Sequence, residues 1–478
     1  MTASTPRAAN RKPNRNPNRR QAVCALVGAA AAPWLIPGHV LGRNGRAPPS
    51  ETVRVGVIGC GGRARFVQEG SDVKGFRVVA ACDCMRSRAE AFARDLSNGA
   101  AWGVYDGFRQ MIDREQLDGV MVETTTHARA WIAIIAMQAG LDAYIEKPMS
   151  LTISEGRAIV RAARKYARVT QVGTQQRSMP INNWASDLVK SGALGKIKTV
   201  LAPNFVGPFP WLDKDAGGGA AVEPWWDVWT NQAPLRPYKS DIHSGWARWR
   251  DYDGGGLCFG VTGWGTHSFD QVNRALGTDD TGPTEIVLEE PAAIRTTGKF
   301  APRKSVGGAV VGETGDVDTG TEYHAMAQLE GPRARITMRF ANGAELKLHL
   351  DGDRGPGLGA IFIGEKGKLE INRNKVAANP RELIDSPDNP GPNRRAESAY
   401  HLENWIECIK SRGTCHADVE IGQRATTLCH LVNIVRDVGR VGEALKWDSA
   451  AERFTNCDEA NQLLSRPRRA GYELPDVG

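Results

Sequence analysis

Between residues 53 and 148 apolar runs of strand length alternate with helical stretches, and this alternation restricts the fold more than any other feature of the chain. The runs are "VRVGVIG" (53–59), "FRVVAACD" (76–83), "LDGVMVETTT" (117–126) and "LDAYIEKP" (141–148). Helical patterns begin at the glycines after the first run and recur at "RSRAEAFARDL" (86–96) and "RAWIAIIAMQAG" (129–140). Strands apolar along their whole length, each followed by a helix and a short link, make a parallel sheet covered on both faces. The N-terminal region is therefore expected to be α/β.

At the first strand-to-helix turn, Gly59, Gly61 and Ala64 make G-x-G-x-x-A. The first glycine permits a tight turn, the second lets backbone approach a pyrophosphate, and the small third residue lets helix pack on strand. The helix N-terminus then offers free N–H groups to the anion. Asp83 closes the second strand, where a carboxylate accepts ribose hydroxyls and repels a 2′-phosphate. The expected cofactor is NAD rather than NADP, with Arg86 and Arg88 nearby softening the preference.

Lys147 follows the fourth run in "YIEKPMS". Ligands of open parallel sheets bind beyond the carboxyl ends of strands, so the ammonium group is expected beside the cofactor, where desolvation and a cationic nicotinamide lower its pKa. A proton carrier is the role this suggests, and Pro148 after it can take the cis form.

Farther along, strand patterns recur at 197–207, 284–291, 321–330, 333–343 and 344–352, with turn chemistry at "EGPRAR" and Asn342-Gly343. Consecutive strands are expected to be antiparallel neighbours. Residues 400–440 read as helices packing back on the core, and 379–396 as a loop. Six of the 13 tryptophans (Trp225, Trp226, Trp229, Trp246, Trp249, Trp264) fall between 223 and 264. Aromatic walls with a few polar groups suit a sugar, while core packing or an oligomer interface is the rival reading. His243, Asp251 and Asp253 lie in the same region.

Taken together, "GVIGCGGRA", "CD" (82–83), "TTTH" (124–127), "EKPMS" (146–150), "VGTQQRS" (172–178) and "GWGTHSFDQ" (263–271) resemble the Gfo/Idh/MocA oxidoreductase family. The resemblance implies a Rossmann domain over 51–175 that binds NAD or NADP. It also implies a second, α+β domain over 176–478 whose large, mostly antiparallel sheet forms the substrate pocket, and action on sugars, inositols and related polyols. Under it, Lys147 helps to move the substrate hydroxyl proton, Glu146 contacts the cofactor, and Gly62, Arg63, Thr125 and His127 fall in the cofactor-binding motifs. Relatives commonly pair through the open face of the large sheet, so a homo-oligomer is expected.

One position departs from the family pattern. Where many relatives carry an aspartate four residues before the histidine of "GWGTHSFDQ", this chain has Gly263. His267 remains, and Asp270 follows at helical spacing, to orient the histidine or to bind substrate. Trp225 and Trp264 are the aromatic candidates for the substrate. Three functions stay open: a dehydrogenase using Lys147 and His267, a glycosidase that keeps its NAD and acts by transient oxidation, elimination and hydration, and a cofactor-stabilised carbohydrate-binding protein without turnover.

The net charge of +7 suggests nucleic-acid binding until its location is considered. Residues 1–46 hold eight of the 61 basic residues and no acid, leaving 53 basic against 54 acidic in the remainder. A phosphate-tracking surface is thereby disfavoured. Arg19 and Arg20 precede an apolar stretch, Ala22 to Ile36, that is too short to span a bilayer. The pattern resembles a twin-arginine export signal, with a periplasmic location and no stable membrane anchor as the expectation; a disordered basic tail on a cytoplasmic protein is the rival reading. The nine cysteines lack paired metal spacing, so neither a metal site nor a disulfide framework is expected.

Overall fold

The first sheet has six parallel strands in the order β3-β2-β1-β4-β5-β6. These are β1 (Val53–Ile58), β2 (Phe76–Cys82), β3 (Gly103–Tyr105), β4 (Gly119–Val122), β5 (Asp142–Ile145) and β6 (Thr170–Val172). The order reverses beside β1, and there the carboxyl ends of β1 and β4 open a crevice of the kind in which dinucleotides bind. The crossover helices are α1 (Gly62–Glu69), α2 (Arg86–Leu96), α3 (Phe108–Arg114), α4 (Thr126–Gln138) and α5 (Ile153–Lys165). Both faces of the sheet are buried, which is why its strands read as unbroken apolar runs.

This computed structural model describes residues 51–70, 72–209, 223–256, 259–295, 331–350 and 356–478. The basic segment with Arg19 and Arg20, the strand expected at 321–330, and Cys24 and Cys258 lie outside the described residues. Residues Thr52–Gly478 make one compact unit.

Helix α6 (Pro180–Lys190) leads into the second sheet, whose nine strands run β15-β14-β13-β7-β12-β11-β8-β16-β17. Their spans are β7 (Ile197–Pro203), β8 (Pro283–Leu288), β11 (Ile336–Phe340), β12 (Glu345–Leu350), β13 (Ala360–Gly364), β14 (Gly367–Asn372), β15 (Lys375–Asn379), β16 (Ala444–Asp448) and β17 (Arg453–Phe454). Every pair is antiparallel except β7 with β12. The β11–β12 hairpin turns at Asn342-Gly343, with Gly343 at φ +87°, as the turn residues require.

The stretch "EGPRAR" departs from its expected role. Gly331–Arg333 is a short strand, β10, paired antiparallel with β9 (Ala293–Arg295) in a separate ribbon. Partners distant in sequence decided the conformation there.

Helices α7 (Pro224–Thr230), α8 (Ser240–Ser244) and α9 (Trp264–Leu276) fall between β7 and β8, and α10 (Glu397–Ser411), α11 (Val419–Val438) and α12 (Asp458–Gln462) belong to the C-terminal part. Leu402, Trp405 and Ile406 of α10 pack with Val55, Val57 and Phe92, so this helix returns to cover the first sheet. No helix among the described residues is long and apolar enough to cross a membrane.

Candidate active site

At the β1–α1 turn, Gly59 has φ +94°, and a Cβ there would lie 2.7 Å from the Thr124 backbone nitrogen. Only glycine fits that crossing. A Cβ on Gly61 or Gly62 would meet nothing within 4 Å, because both face a cavity of about 380 Å³. Ala64, fully buried one turn on, packs the helix against the sheet. Arg63, Asp83, Arg88, Thr124 and Thr125 also line the cavity.

Asp83 accepts hydrogen bonds from the backbone N–H groups of Cys60 and Met85, each at 2.9 Å, which fixes its carboxylate at the rim. Arg86 is drawn away by Glu90 at 3.0 Å, whereas Arg88 stays on the cavity wall. A glycine-floored crevice at a helix N-terminus, with a carboxylate fixed at the end of β2, fits a dinucleotide. The floor is bare where a side chain would have filled it. Replacing Asp83 by asparagine removes the charge that would repel a 2′-phosphate and is expected to raise affinity for NADP relative to NAD, measured as the ratio of their dissociation constants by titration.

Glu123 also lines the cavity, 7% exposed, with both carboxyl oxygens unpartnered. Burial, together with nearby Glu146, pushes its pKa well above the usual carboxylate range, against the pull of Arg63 and Arg129, and so favours the neutral acid. Glu146 behaves oppositely. Burial would raise it, but Arg63 and Lys147 hold it below the usual carboxylate range. Arg63 Nε donates to Glu146 at 2.7 Å, Gln175 Nε2 at 3.1 Å, and the Lys147 backbone N–H at 2.8 Å. Glu123→Gln is expected to leave stability within about 1 kcal/mol, and Glu146→Gln to cost about 1.5–3 kcal/mol, both read from urea unfolding.

Lys147 is partly buried after β5, and its peptide bond to Pro148 is cis. Its Nζ donates to the Gly263 carbonyl at 2.8 Å. At the position where the family pattern puts an aspartate, the chain thus offers a backbone oxygen. Burial lowers Lys147 to about 8, against the opposing pull of Glu146. His267, 3% exposed on α9, is held well below its ordinary value by burial and by the charges of Arg373, Lys147 and Arg63. Its Nδ1 is buried without a hydrogen-bond partner. A neutral imidazole and an amine of lowered basicity therefore act on each other beside the buried Glu146.

Other candidate residues are placed elsewhere. Asp270 neither orients His267 nor reaches into the cavity: Arg177 Nε donates to it at 2.7 Å, and both side chains are buried. Arg177 also pairs with Asp279, at the end of α9, so the trio ties the 3₁₀ turn Gln175–Ser178 to that helix. His127 is fully buried behind the cavity rather than on it, its Nε2 2.8 Å from the Trp229 carbonyl oxygen. Trp225 packs with Trp226, Tyr238 and His243 and does not line the cavity. Trp264 packs against Phe259, ring centroids 4.2 Å apart and planes tilted by 43°, and borders a small recess shared with Arg373.

Arg373, Glu397 and Gln176 escaped the sequence reading. Arg373 Nη1 bonds Glu397 at 2.9 Å, and its Nε lies 3.4 Å from Gln176 Oε1. Gln176 stood inside a quoted motif, but nothing in the sequence couples it to a hairpin arginine after β14. Among the described residues no group of three His, Cys, Asp or Glu is placed to hold a metal ion.

Two family models match the chain. An NAD-binding Rossmann domain of the oxidoreductase family covers residues 53–174, and the family's C-terminal α/β domain covers 183–333 and 316–474. The chain belongs to the Gfo/Idh/MocA oxidoreductase family. Within it, the chain is 31% identical over 143 residues to a D-apiose dehydrogenase from Paraburkholderia graminis, covering 29% of this chain and 36% of the relative. It is 33% identical over 115 residues to a glycosyl hydrolase family 109 protein from Porphyromonas gingivalis, covering 23% and 25%. These matches span well under half of either relative. Among solved structures, aldose-aldose oxidoreductase from Caulobacter crescentus, complexed with glycerol, superposes with a TM-score of 0.53 at 17% identity, over 83% of this chain and 99% of that one. Myo-inositol 2-dehydrogenase from Lactobacillus plantarum gives 0.52 at 15% identity over 83% and 99%. At such identities the likeness speaks for the fold alone.

Proposed function

We propose that this Gfo/Idh/MocA protein is an NAD-dependent oxidoreductase acting on a hydroxyl-bearing carbon of a sugar or polyol, with Lys147 as the proton carrier. The observation that carries this reading is the placement of the Lys147 amine. It is fixed on the Gly263 carbonyl and lowered to about 8, next to neutral His267, at the same edge of the sheet as the glycine-floored crevice.

The residues that would hold NAD are Gly61, Gly62, Arg63, Asp83, Glu123, Thr124 and Thr125. Bound there, the nicotinamide supplies the hydride acceptor for oxidation and the donor for reduction. Neutral Lys147 Nζ takes the proton of the substrate hydroxyl as its carbon is oxidised, and returns it in the reverse direction. His267 presents a second neutral acceptor beside it. Glu146, whose carboxylate accepts from the Lys147 backbone N–H and pairs with Arg63, fixes the backbone from which the lysine projects.

The pH dependence follows with a definite sign. Below its pKa Lys147 is protonated and cannot accept, so oxidation is expected to rise about tenfold per pH unit and level off above about 8. Reduction needs the ammonium form and is expected to fall above the same point. His267 stays neutral throughout that window, so it adds no second limb. The measurement is kcat/KM in both directions across the range.

A second reading, redox-assisted cleavage of a glycoside, is favoured by the family 109 glycosyl hydrolase relatives. A panel of sugars, polyols and glycosides with a limiting amount of NAD separates the two. One reduced nicotinamide per oxidised sugar supports the dehydrogenase. Many cleaved glycosides per NAD without net reduction support the second reading, and turnover of nothing in the panel would count against both.

A further inference from the structure

The tryptophan-rich segment 223–256 has a position that its composition did not disclose. Its residues Val228, Trp229, His243, Ser244 and Trp246 face the same cavity as Gly61, Asp83 and Asp106. The cofactor crevice, normally one face of an open sheet edge, here has a second wall. That wall shares the cavity with Asp83, the carboxylate placed to receive the adenosine ribose. His243 lines the cavity together with Asp83 and Arg88, and its ring packs against that of Trp229 with centroids 5.4 Å apart.

The wall is tied down on several sides. Trp229 stacks on fully buried Trp226, with centroids 4.7 Å apart and planes at 12°. Trp226 Nε1 donates to the Arg236 carbonyl at 2.7 Å. His127, on α4 of the first sheet, bonds the Trp229 carbonyl oxygen. Near the C-terminus, Arg469 donates to the carbonyls of Asn231 at 2.9 Å and Asp227 at 2.8 Å. Shifting the segment would break these contacts together, and such coupled contacts slow local opening.

We propose that Trp229, His243 and Trp246 clamp the adenosine end of bound NAD against Asp83, so that the dinucleotide stays in place between turnovers. This rests on the dinucleotide reading of the cavity. An adenine ring is a flat aromatic face, and indole and imidazole rings are the side chains that cover such a face with both dispersion and polar edges. Gains of this kind appear mainly in the dissociation rate. The tryptophan cluster is then a cofactor element, with Trp264 left near the reacting groups.

The test uses the full chain, loaded with NAD, passed through gel filtration and then chased with isotopically labelled NAD. Nucleotide per chain and exchange rate are read by extraction and mass spectrometry, without any substrate. Wild type is expected to keep about one NAD per chain and to exchange slowly. Trp246→Ala and His243→Ala are expected to exchange at least about tenfold faster and to emerge depleted. Circular dichroism confirms folding, and should Trp246→Ala fail it, Trp246→Phe and His243→Ala carry the comparison. Folded variants that exchange at the wild-type rate would overturn the clamp, as would wild type that binds NAD yet exchanges rapidly. Wild type that binds no NAD at saturating concentration would instead overturn the dinucleotide reading itself.

Discussion

Replacing Lys147 by alanine is expected to lower kcat by about 10²- to 10⁴-fold while leaving the NAD dissociation constant nearly unchanged. The Lys147 amine is held on the Gly263 carbonyl at 2.8 Å, and Lys147 is not among the residues lining the glycine-floored cavity. Its loss removes a proton acceptor and little of the cofactor's support. Two accompanying readouts distinguish this from general damage. The rise in rate that comes from deprotonation of the Lys147 ammonium should vanish, because the acceptor whose titration produces it is gone. Arginine in its place should not rescue, since guanidinium stays protonated and cannot accept. A variant of undiminished rate would remove Lys147 from the chemistry.

The largest effect on stability is expected at Arg177. Its side chain is 3% exposed and that of Asp270 1%, and the two meet at 2.7 Å. Oδ2 of Asp270 has no partner at all. Arg177→Met would leave that carboxylate buried without a counter-charge, at a cost of about 3–5 kcal/mol. The burial that already raises Asp270 to about 6 would then lose its main opponent and favour the neutral acid. Asp279, 28% exposed, can turn to water and so relieves part of its own loss. Combining Arg177→Met with Asp270→Leu is expected to recover much of the difference, because removing both charges removes the uncompensated one. Urea denaturation of the two variants gives the comparison, and a single variant as stable as wild type would show that the pair contributes nothing.

What could be read from sequence and what could not divide along the range of the interactions. The helix Arg86–Leu96 and strands β1, β2, β4 and β5 follow from local apolar pattern, because a parallel sheet buried on both faces writes itself as unbroken runs, whereas β3, three half-buried residues at the sheet edge, left no such run. Gly59, Gly61 and Ala64 were legible for the same reason: a tight turn under a helix is a local demand. The fate of Asp270 was not. Helical spacing put it near His267, but its partner Arg177 comes from a separate 3₁₀ turn, and only the packing of α9 on that turn brings them together. Gly331–Arg333 looked like a turn and became a strand because β9 was there to pair with it. The tryptophans were visible as a cluster, yet which wall they would form depended on how segment 223–256 lies against the end of β2. Composition marks a surface as adhesive without saying to what.

The most direct measurement is a single-turnover reaction of wild type, loaded with NAD, with a sugar or polyol substrate deuterated at the reacting carbon, quenched early and analysed by mass spectrometry of the nicotinamide. Hydride transfer with Lys147 as proton carrier puts deuterium on the reduced nicotinamide, appearing no later than the oxidised carbon and absent in Lys147→Ala over the same interval. Product formed by wild type with no deuterium on the cofactor at any time would contradict it.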